Sequence, residues 1–342
     1  MKKSLVIIIC LICTALAFIS CNKEKASADA PVLVVYATDS FLSEWGPAPV
    51  VFPLFEEKYG IKIEQRQGGN AGEIMNLAIM EKGKQSADII IGVDNNLLST
   101  VLKNDLFIPY KPAGIENVNP DLIFDKSYHV IPYNYSFFSL VYDSGTIKNP
   151  PKSLDDLLDS HYKKSLIVMD PRTSSPGLGF LMWTIKCKGD GYKDYWKKLM
   201  PNILTVSESW SSGYGLFTSG EAPMVISYTT SPAYHVEYEK DEHIKTVLFE
   251  EGNYMQTEGV GILKDAPHMD AAKKFVDFVL TTDFQKALPL TNWMYPVVNG
   301  VPLPASYSSA PISEKPLLLD HDEIDKNLDK WLAGWLESTL NK

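Results

Sequence analysis

The chain has 342 residues, 45% of them hydrophobic, and a net charge of −10 at pH 7. Arg66 and Arg172 are its only arginines. The negative net charge and the few arginines argue against a nucleic-acid partner, because proteins bind nucleic-acid phosphates through basic surfaces. A chain of this length and hydrophobic content can bury a large core and is long enough for two lobes of ordinary domain size.

Residues 1–20 are typical of a bacterial lipoprotein signal peptide. Two lysines precede the apolar run 5–19, which is short for a membrane span and has the length of a signal-peptide core. A serine precedes Cys21, as at a lipoprotein processing site. We predict cleavage after residue 20, a lipid on Cys21 and a polar tether over 21–31, with ordinary secretion or an uncleaved anchor as alternatives. Only Cys187 would remain besides the anchor cysteine, so no internal disulfide is possible.

Strand and helix patterns alternate after the tether. The run 31–36 predicts a strand, VVFPLFEEKYG a helix, IKIEQRQ a strand and 73–82 a second helix. The apolar run 86–93 predicts a buried strand, after which Asp94 can cap a helix that begins near Leu97. Such alternation predicts a largely parallel sheet covered by helices on both faces, with ligands gathering at the carboxyl ends of the strands.

The middle of the chain has a different pattern. The run 133–142 is long and rich in β-formers, and KNPPKSLDDLLDSHY then predicts a turn, a cap at Ser153 and a helix. LIVMD predicts another strand. Ser174 or Ser175 can cap the next helix, with Pro176 at its first position.

The last part of the chain returns to clear patterns. MVISY and EGVGIL predict strands, and DAAKKFVDFVL predicts an amphipathic helix. Trp331 and Trp335, four residues apart, predict the buried face of a C-terminal helix. The cluster 320–323 (DHDE) resembles a metal site at first, but it lacks the glycine of a calcium loop and better fits a solvated helix start.

These patterns indicate one lobe made of two separated pieces, with the second lobe inserted between them. We predict lobe 1 over residues 32–135 and about 253–308, and lobe 2 over about 136–252. A C-terminal helix over 309–342 is predicted to pack on one of the lobes.

Aromatic and hydroxyl side chains concentrate in three predicted loops, ESWSSGYG, SYTTSPAYH and TNWMYP. Their rings, Trp210, Tyr228, Tyr234 and Trp293, lie beside Gly, Pro, Ser or Asn rather than in an apolar periodic run. A cationic heteroaromatic ligand between such rings would gain roughly 0.5–2 kcal/mol per cation–π contact. Taken singly, each ring is better explained as a partly buried packing residue, but four of them in loops near strand ends shift the balance towards a site.

Polar groups for the same ligand stand at strand ends and at a helix start. The unpaired N–H groups that follow Ser174 and Ser175 could accept an anion, although a Ser-Pro-Gly entry is also an ordinary helix cap. Asp39, Asp94 and Glu258 are candidate carboxylates for a cationic or amino-bearing ligand, and Asp94 has the helix cap as its alternative role.

Common catalytic motifs are missing from the sequence. It has no G-x-S-x-G, no H-E-x-x-H, no G-x-x-x-x-G-K-[ST] and no G-x-G-x-x-G, and its six histidines are dispersed. A binding protein is therefore favoured over an enzyme.

Taken together and in order, seven segments closely resemble the thiamine-binding proteins that serve thiamine uptake transporters of the ATP-binding-cassette type. They are YATDSFLSEWGPAPVV, ADIIIGVDNNLL, KNPPKSLDDLL, DPRTSSPGLG, ESWSSGYGLF, ISYTTSPAYH and TNWMYPV. The resemblance covers about 32–298, and TTSPAYH and NWMYP are its most specific parts.

The resemblance implies an α/β, two-lobed periplasmic-binding-protein fold of type II-like form, each lobe a mixed, mostly parallel sheet flanked by helices. It implies closure over thiamine, or its mono- and diphosphates, and delivery to permease subunits in the membrane. No cofactor is implied beyond thiamine as transported ligand. The protein would act as a monomer in the periplasm or at the cell surface, anchored by the lipid on Cys21.

The resemblance also implies ligand contacts, with rings around the pyrimidine and thiazolium and helix-start groups on the hydroxyethyl or phosphate end. These contacts would fall on Ser174, Ser175, Trp210, Tyr228, Thr229, Thr230, Ser231, Tyr234 and Trp293. Asn70 and Ala71 stand where relatives carry an Asp-Gly pair, and Thr38 stands where they often carry an aromatic residue. With Asp39 and Asp94 these residues form the predicted site.

Two other functions stay open from the sequence. A protein of the same fold could bind ferric iron or an oxyanion, although Tyr228 and Tyr234 are six residues apart and form no Tyr-Tyr pair. Alternatively, a lipoprotein enzyme could act on thiamine or on a phosphoester.

Overall fold

The computed structural model describes residues 31–67 and 69–340. The predicted signal peptide, the lipidation residue Cys21 and nearly all of the tether lie outside the described residues. Among the residues that are described, no helix has both the length and the hydropathy that crossing a membrane requires.

A twelve-stranded mixed sheet runs through the described part of the molecule, with the main order β2-β1-β3-β10-β5-β8-β6-β7. The strands at both outer ends run parallel to their neighbours, whereas β10 and β5 in the middle run antiparallel to theirs. The strands are β1 (Val32–Ala37), β2 (Lys62–Gln67), β3 (Ile89–Asp94), β4 (Phe107–Ile108), β5 (Ile131–Asp143), β6 (Leu166–Met169), β7 (Ile203–Ser207), β8 (Met224–Tyr228), β9 (Ile244–Val247), β10 (Asn253–Leu263), β11 (Tyr295–Pro296) and β12 (Pro316–Leu317).

Helices follow most of the parallel strands and cover the sheet. Apolar residues at helical spacing give them their buried faces, as in DAAKKFVDFVL, where Phe275 and Phe278 are fully buried. The helices are α1 (Asp39–Leu42), α2 (Ala48–Tyr59), α3 (Ala71–Met80), α4 (Leu98–Lys103), α5 (Ser175–Lys188), α6 (Tyr192–Leu199), α7 (Trp210–Thr218), α8 (Ser231–Tyr234), α9 (Met269–Val279), α10 (Thr282–Thr291) and α11 (His321–Leu340).

The hydrophobic core is divided into two regions, one for each lobe. In the first region, apolar clusters lie on both faces of the sheet formed by β1, β2, β3 and β10. In the second region they lie on both faces of the sheet formed by β6, β7, β8 and the later part of β5. The strand β5 joins the regions, because Phe137 pairs with β10 while the next residue, Phe138, pairs with β8. The two-lobed fold is thereby confirmed, while the residue bounds of the lobes stay a prediction.

Most predicted elements are present, with two corrections. The segment after Ser153 forms two short 3₁₀ turns, Asp156–Leu158 and Ser160–Tyr162, instead of the predicted helix. The Ser153 hydroxyl does accept from the N–H of Asp156, but the Asp159 side chain accepts from the N–H of His161 and so competes with helical hydrogen bonding.

The second correction concerns the C-terminal helix, which begins at His321 rather than near residue 309. A short 3₁₀ segment and the edge strand β12 occupy most of the preceding stretch. Asp320 accepts from the N–H of Asp322, as expected for a helix start. The helix contacts both α4 and α6, whereas contact with one lobe was predicted. Trp331 and Trp335 are buried as predicted.

Candidate functional site

A cavity of about 410 Å3 lies between the two core regions. This volume is within the range of small-molecule sites, roughly 300–1,000 Å3. Its lining comes from strand ends and helix starts of both regions. Of the residues predicted from the sequence, those that line the cavity are Asp39, Asn70, Ala71, Ser174, Ser175, Trp210, Tyr228, Ser231, Tyr234 and Trp293.

The other three predicted residues are buried behind the cavity surface. Thr229 and Thr230 are 0% exposed, and their hydroxyls lie 3.5 and 3.1 Å from the Ser136 hydroxyl. Strand β8 ends at Tyr228, and the chain then turns these two threonines into the interior. Asp94 is also 0% exposed, and its Oδ1 accepts from the N–H of Asn96 as predicted for a cap.

Two helix starts lie next to each other in the lining of the cavity. An added Cβ on Gly72, in the first turn of α3, would lie 3.6 Å from the backbone oxygen of Arg172, just before α5. The start of α5 packs tightly on the end of β6, since a Cβ on Gly177 would come within 2.6 Å of the Met169 and Asp170 backbone oxygens. Ser174 is 4% exposed, and its hydroxyl has no hydrogen-bond partner among the described residues. This end of the cavity therefore offers backbone N–H groups and a free hydroxyl, which suit an anion or a hydroxyl group.

The start of α7 presents a pair of stacked rings. Trp210 and Tyr214, one helical turn apart, have ring centroids 5.0 Å apart at 20°. Trp45, from the first region, approaches Trp210 with a centroid distance of 5.9 Å and is 45% exposed. Trp210 donates from Nε1 to the Ser227 hydroxyl over 2.9 Å, which fixes the plane of its ring. A flat ligand ring can therefore contact an oriented aromatic wall here.

A second aromatic corner forms around Trp293. Its ring meets Tyr234 edge-on at 5.4 Å and Tyr238 at 5.6 Å. Trp293 has a φ of 54°, in the left-handed region that a bulky residue rarely adopts, and follows the end of α10 where glycine is usual. Strained backbone conformations of this kind cluster at functional sites. Here the conformation places the Trp293 side chain in the lining of the cavity.

Tyr228 and Ser231 line the cavity between these two aromatic groups. Tyr228 stacks on Phe138 at 5.2 Å, so one face of its ring is covered. The Ser231 hydroxyl is 2.9 Å from the Ser227 hydroxyl and accepts from the N–H of Tyr228. Ser231 is thus already bonded within the wall, and Tyr228 presents its remaining surface to the cavity.

Two carboxyl groups, Asp94 and Glu258, form what we call the acidic floor of the cavity. They are cross-strand partners on β3 and β10. Burial raises the pKa of both, and burial together with the charge of Glu258 raises the pKa of Asp94 to about 6. The Ser175 hydroxyl and the N–H of Asn96 act against this shift at Asp94. Glu258 lines the cavity and Asp94 lies behind it, so acidic groups stand beside the place of a cationic or amino-bearing ligand, although burial disfavours their charged forms.

Sequence reasoning missed several lining residues, among them Tyr214 and Glu239, which a buried histidine connects by hydrogen bonds. The Tyr214 hydroxyl is 2.8 Å from Nε2 of buried His235, whose Nδ1 is 2.6 Å from a Glu239 carboxylate oxygen. Tyr214 stands in ESWSSGYG and Trp45 beside Gly-Pro, so the loop pattern that selected Trp210 could have selected both. Other lining residues not predicted are Ser40, Gly92, Ser211, Gly215, Thr218, Thr291, Asn292 and Met294.

The small side chain of Thr38, at the position where an aromatic residue was expected from the resemblance, fits the local packing. Thr38 lines the cavity and packs on Gly92 of β3, where an added Cβ would come within 2.9 Å of the threonine methyl group. Within residues 31–67 and 69–340, no group of three or more His, Cys, Asp or Glu side chains could hold a metal ion.

Comparisons with known proteins agree with this geometry. Residues 84–327 match the family of bacterial extracellular solute-binding proteins. The thiamine-binding periplasmic protein of Brucella abortus is 40% identical over 311 residues, 90% of this chain and 92% of that protein. Its Escherichia coli counterpart is 37% identical over 335 residues, 98% of each chain. A solved periplasmic thiamin binding protein superposes with a TM-score of 0.87 at 38% identity, over 92% of this chain and 98% of that one. The chain therefore belongs to the bacterial extracellular solute-binding proteins, in the group of the thiamine-binding periplasmic proteins.

Proposed function

We propose that this protein binds thiamine outside the cytoplasm and delivers it to the permease of an ATP-binding-cassette transporter. The observation that carries the proposal is the composition of the cavity, which combines oriented aromatic rings, a carboxylate and a helix start in about 410 Å3. Thiamine has matching parts: a cationic thiazolium, an aminopyrimidine and a hydroxyethyl end. The relatives at 37–40% identity, named for thiamine binding, support the same ligand.

Each part of the cavity suits one part of the ligand. The rings of Trp210, Tyr234 and Trp293 would stack on the ligand rings and stabilise the thiazolium charge, with roughly 0.5–2 kcal/mol from each cation–π contact. The N–H groups at the start of α5, with Ser174 and Ser175, would receive the hydroxyethyl group or the phosphate of a thiamine ester. Asn70 and Ala71 face them from the start of α3.

Binding would work by lobe closure, with no chemical step and no cofactor. The lining comes from both core regions, so a ligand touches all of it only when the two lobes are together. The stretch of β5 around Phe137 and Phe138, which passes between the regions, is the natural hinge. We further propose that the protein acts as a monomer in the periplasm or at the cell surface, held to the membrane by a lipid on Cys21.

Calorimetry of the purified protein with thiamine, its monophosphate and its diphosphate tests the proposal. We expect one binding site per chain and a dissociation constant in the micromolar range or below for at least one of the three. Absence of binding to all three would refute the proposal. Release of phosphate or cleavage of the ligand would point to an enzyme, and a coloured complex with ferric citrate would point to the iron-binding alternative.

A further inference from the structure

Glu258 is placed so that its carboxylate faces the cavity from the middle of the sheet. It lies on β10 opposite Asp94 on one side and Asn134 on the other, and the register shifts directly after it on the β5 side and one residue later on the β3 side. Such irregularities re-aim a side chain relative to its neighbours on the strand. Glu258 lines the cavity and is partly exposed to it, whereas Asp94 is fully buried behind it.

The Glu258 carboxylate is held in one orientation by donors from the protein. Its Oε2 accepts from the Tyr133 hydroxyl over 2.9 Å and from Nδ2 of Asn134 over 2.7 Å. Its Oε1 accepts from Nε2 of Gln256 over 3.2 Å. The Asn292 side chain also hydrogen-bonds to this carboxylate. Because the side chain is immobilised before a ligand arrives, a hydrogen bond from the ligand needs little reorganisation of the carboxylate.

Three acceptor atoms on the strand and cross-strand neighbours of Glu258 lack a donor within the part of the chain that the structure describes. Oδ2 of Asp94, Oδ1 of Asn134 and Oε1 of Gln256 are buried and have no hydrogen-bond partner among the described residues. All three side chains are 0% exposed. A buried acceptor without a hydrogen-bond partner costs free energy. A ligand group that donates hydrogen bonds is therefore favoured here over one that only accepts them.

We propose that Glu258 is the specificity-determining residue for an amino group on the ligand ring, so that the cavity selects a 4-aminopyrimidine over its 4-oxo analogue. This inference rests on the proposed function, since the aminopyrimidine is a part of thiamine. The exocyclic amine donates a hydrogen bond to the carboxylate. An oxo group at the same carbon would place an acceptor against that carboxylate, so the two oxygens would repel each other.

The test compares thiamine with oxythiamine, in which the amine is replaced by oxygen, on three proteins. The wild type is expected to bind thiamine at least about 30-fold more tightly than oxythiamine, because a site built for a donor rejects an acceptor. In Glu258→Gln this ratio should fall to about threefold or less, because an amide can accept from the amine or donate to the oxo group. The matched control is Glu57→Gln, an exposed carboxylate on α2 outside the cavity, which should keep the wild-type ratio.

The outcomes distinguish a failure of the proposed function from a failure of the role proposed for Glu258. A wild type that binds neither compound refutes the proposed function and the inference with it. A wild type that binds both equally leaves thiamine as the ligand and refutes the inference alone. Equal weakening of both compounds in Glu258→Gln would assign Glu258 a purely structural role. If that variant does not fold, Glu258→Asp replaces it, and there we expect weaker thiamine binding with the preference for the amine retained.

Discussion

Tryptophans occur in two kinds of environment in this protein, the core of the second region and the cavity. Trp183, Trp196 and Trp335 are at most 2% exposed and pack on other rings within one apolar cluster. Trp45, Trp210 and Trp293 border the cavity and have serine, asparagine or proline as neighbours in sequence or space. The same residue type thus contributes to folding in one place and is available to a ligand in the other.

Truncation of a core tryptophan should give the largest effect and should act on stability. Trp196 packs edge-on against Phe180 at 5.2 Å and Trp335 at 5.9 Å, and its Nε1 donates to the Thr184 hydroxyl. We expect Trp196→Ala to lower the free energy of unfolding in urea by about 3–5 kcal/mol. The protein that remains folded should bind thiamine with unchanged affinity. Trp196→Phe, which keeps most of the packing, should lose less than half as much.

Asp94 is completely buried like the core tryptophans, but its carboxyl group is expected to lower the stability of the folded protein at neutral pH. Its folded-state pKa is raised from 3.8 to about 6, so its contribution to stability is present below about pH 4 and is lost as the pH rises through about 6. The facing titratable groups are Glu258 and the tyrosines 133, 228 and 254, of which the tyrosines are neutral in this range.

Asp94→Asn keeps the acceptor used by Asn96 and removes the charge. We expect it to stabilise the unliganded protein by about 1–3 kcal/mol at pH 7 and to have a much smaller effect at pH 4. Thermal or urea unfolding at the two pH values measures this. A stabilisation of the same size at both values, or a loss at pH 7, would contradict the raised pKa.

Truncation of a cavity tryptophan should affect ligand binding and not stability, the opposite of the effect expected at Trp196. We expect Trp210→Ala to weaken thiamine binding by at least about tenfold, because the ring wall on Tyr214 is lost, and to leave the melting temperature of the unliganded protein nearly unchanged. Tyr234→Ala should behave in the same way. Calorimetry and a thermal melt of each variant measure both quantities. A loss of stability equal to the loss of binding would place these rings in the core instead.

The smallest effect concerns the backbone of Trp293. Because its φ is 54°, Trp293→Gly should be more stable than Trp293→Ala by about 1 kcal/mol, although both remove the ring and weaken thiamine binding. Trp45 provides the matched control, since it does not share the left-handed conformation. There the glycine variant should be no more stable than the alanine variant. Equal stabilities at position 293 would mean that the backbone relaxes without cost.

The local elements were predictable because their patterns are local. Strands such as Met224–Tyr228 and the amphipathic helix Met269–Val279 follow from spacing alone. The helix α5 does begin after Ser174, but Pro176 is its second residue rather than its first, and the Ser174 side chain makes no capping hydrogen bond to the described residues of the helix. The helix after Ser153 was predicted wrongly, because the Asp159 side chain favours separate turns and the sequence pattern did not weigh that competition.

The sequence by itself determined most of the local elements and a set of candidate site residues, since rings and hydroxyls beside Gly, Pro and Ser are typical of loops. Only the tertiary structure decided which of them meet. It brought Trp45 to Trp210, joined Tyr214 to His235, and turned Thr229 and Thr230 inward. It also set Glu258 rather than Asp94 at the cavity surface. The physical reason is that register shifts in the pairing of β10 and the crossing of β5 between two cores are contacts between distant segments, which no local pattern encodes.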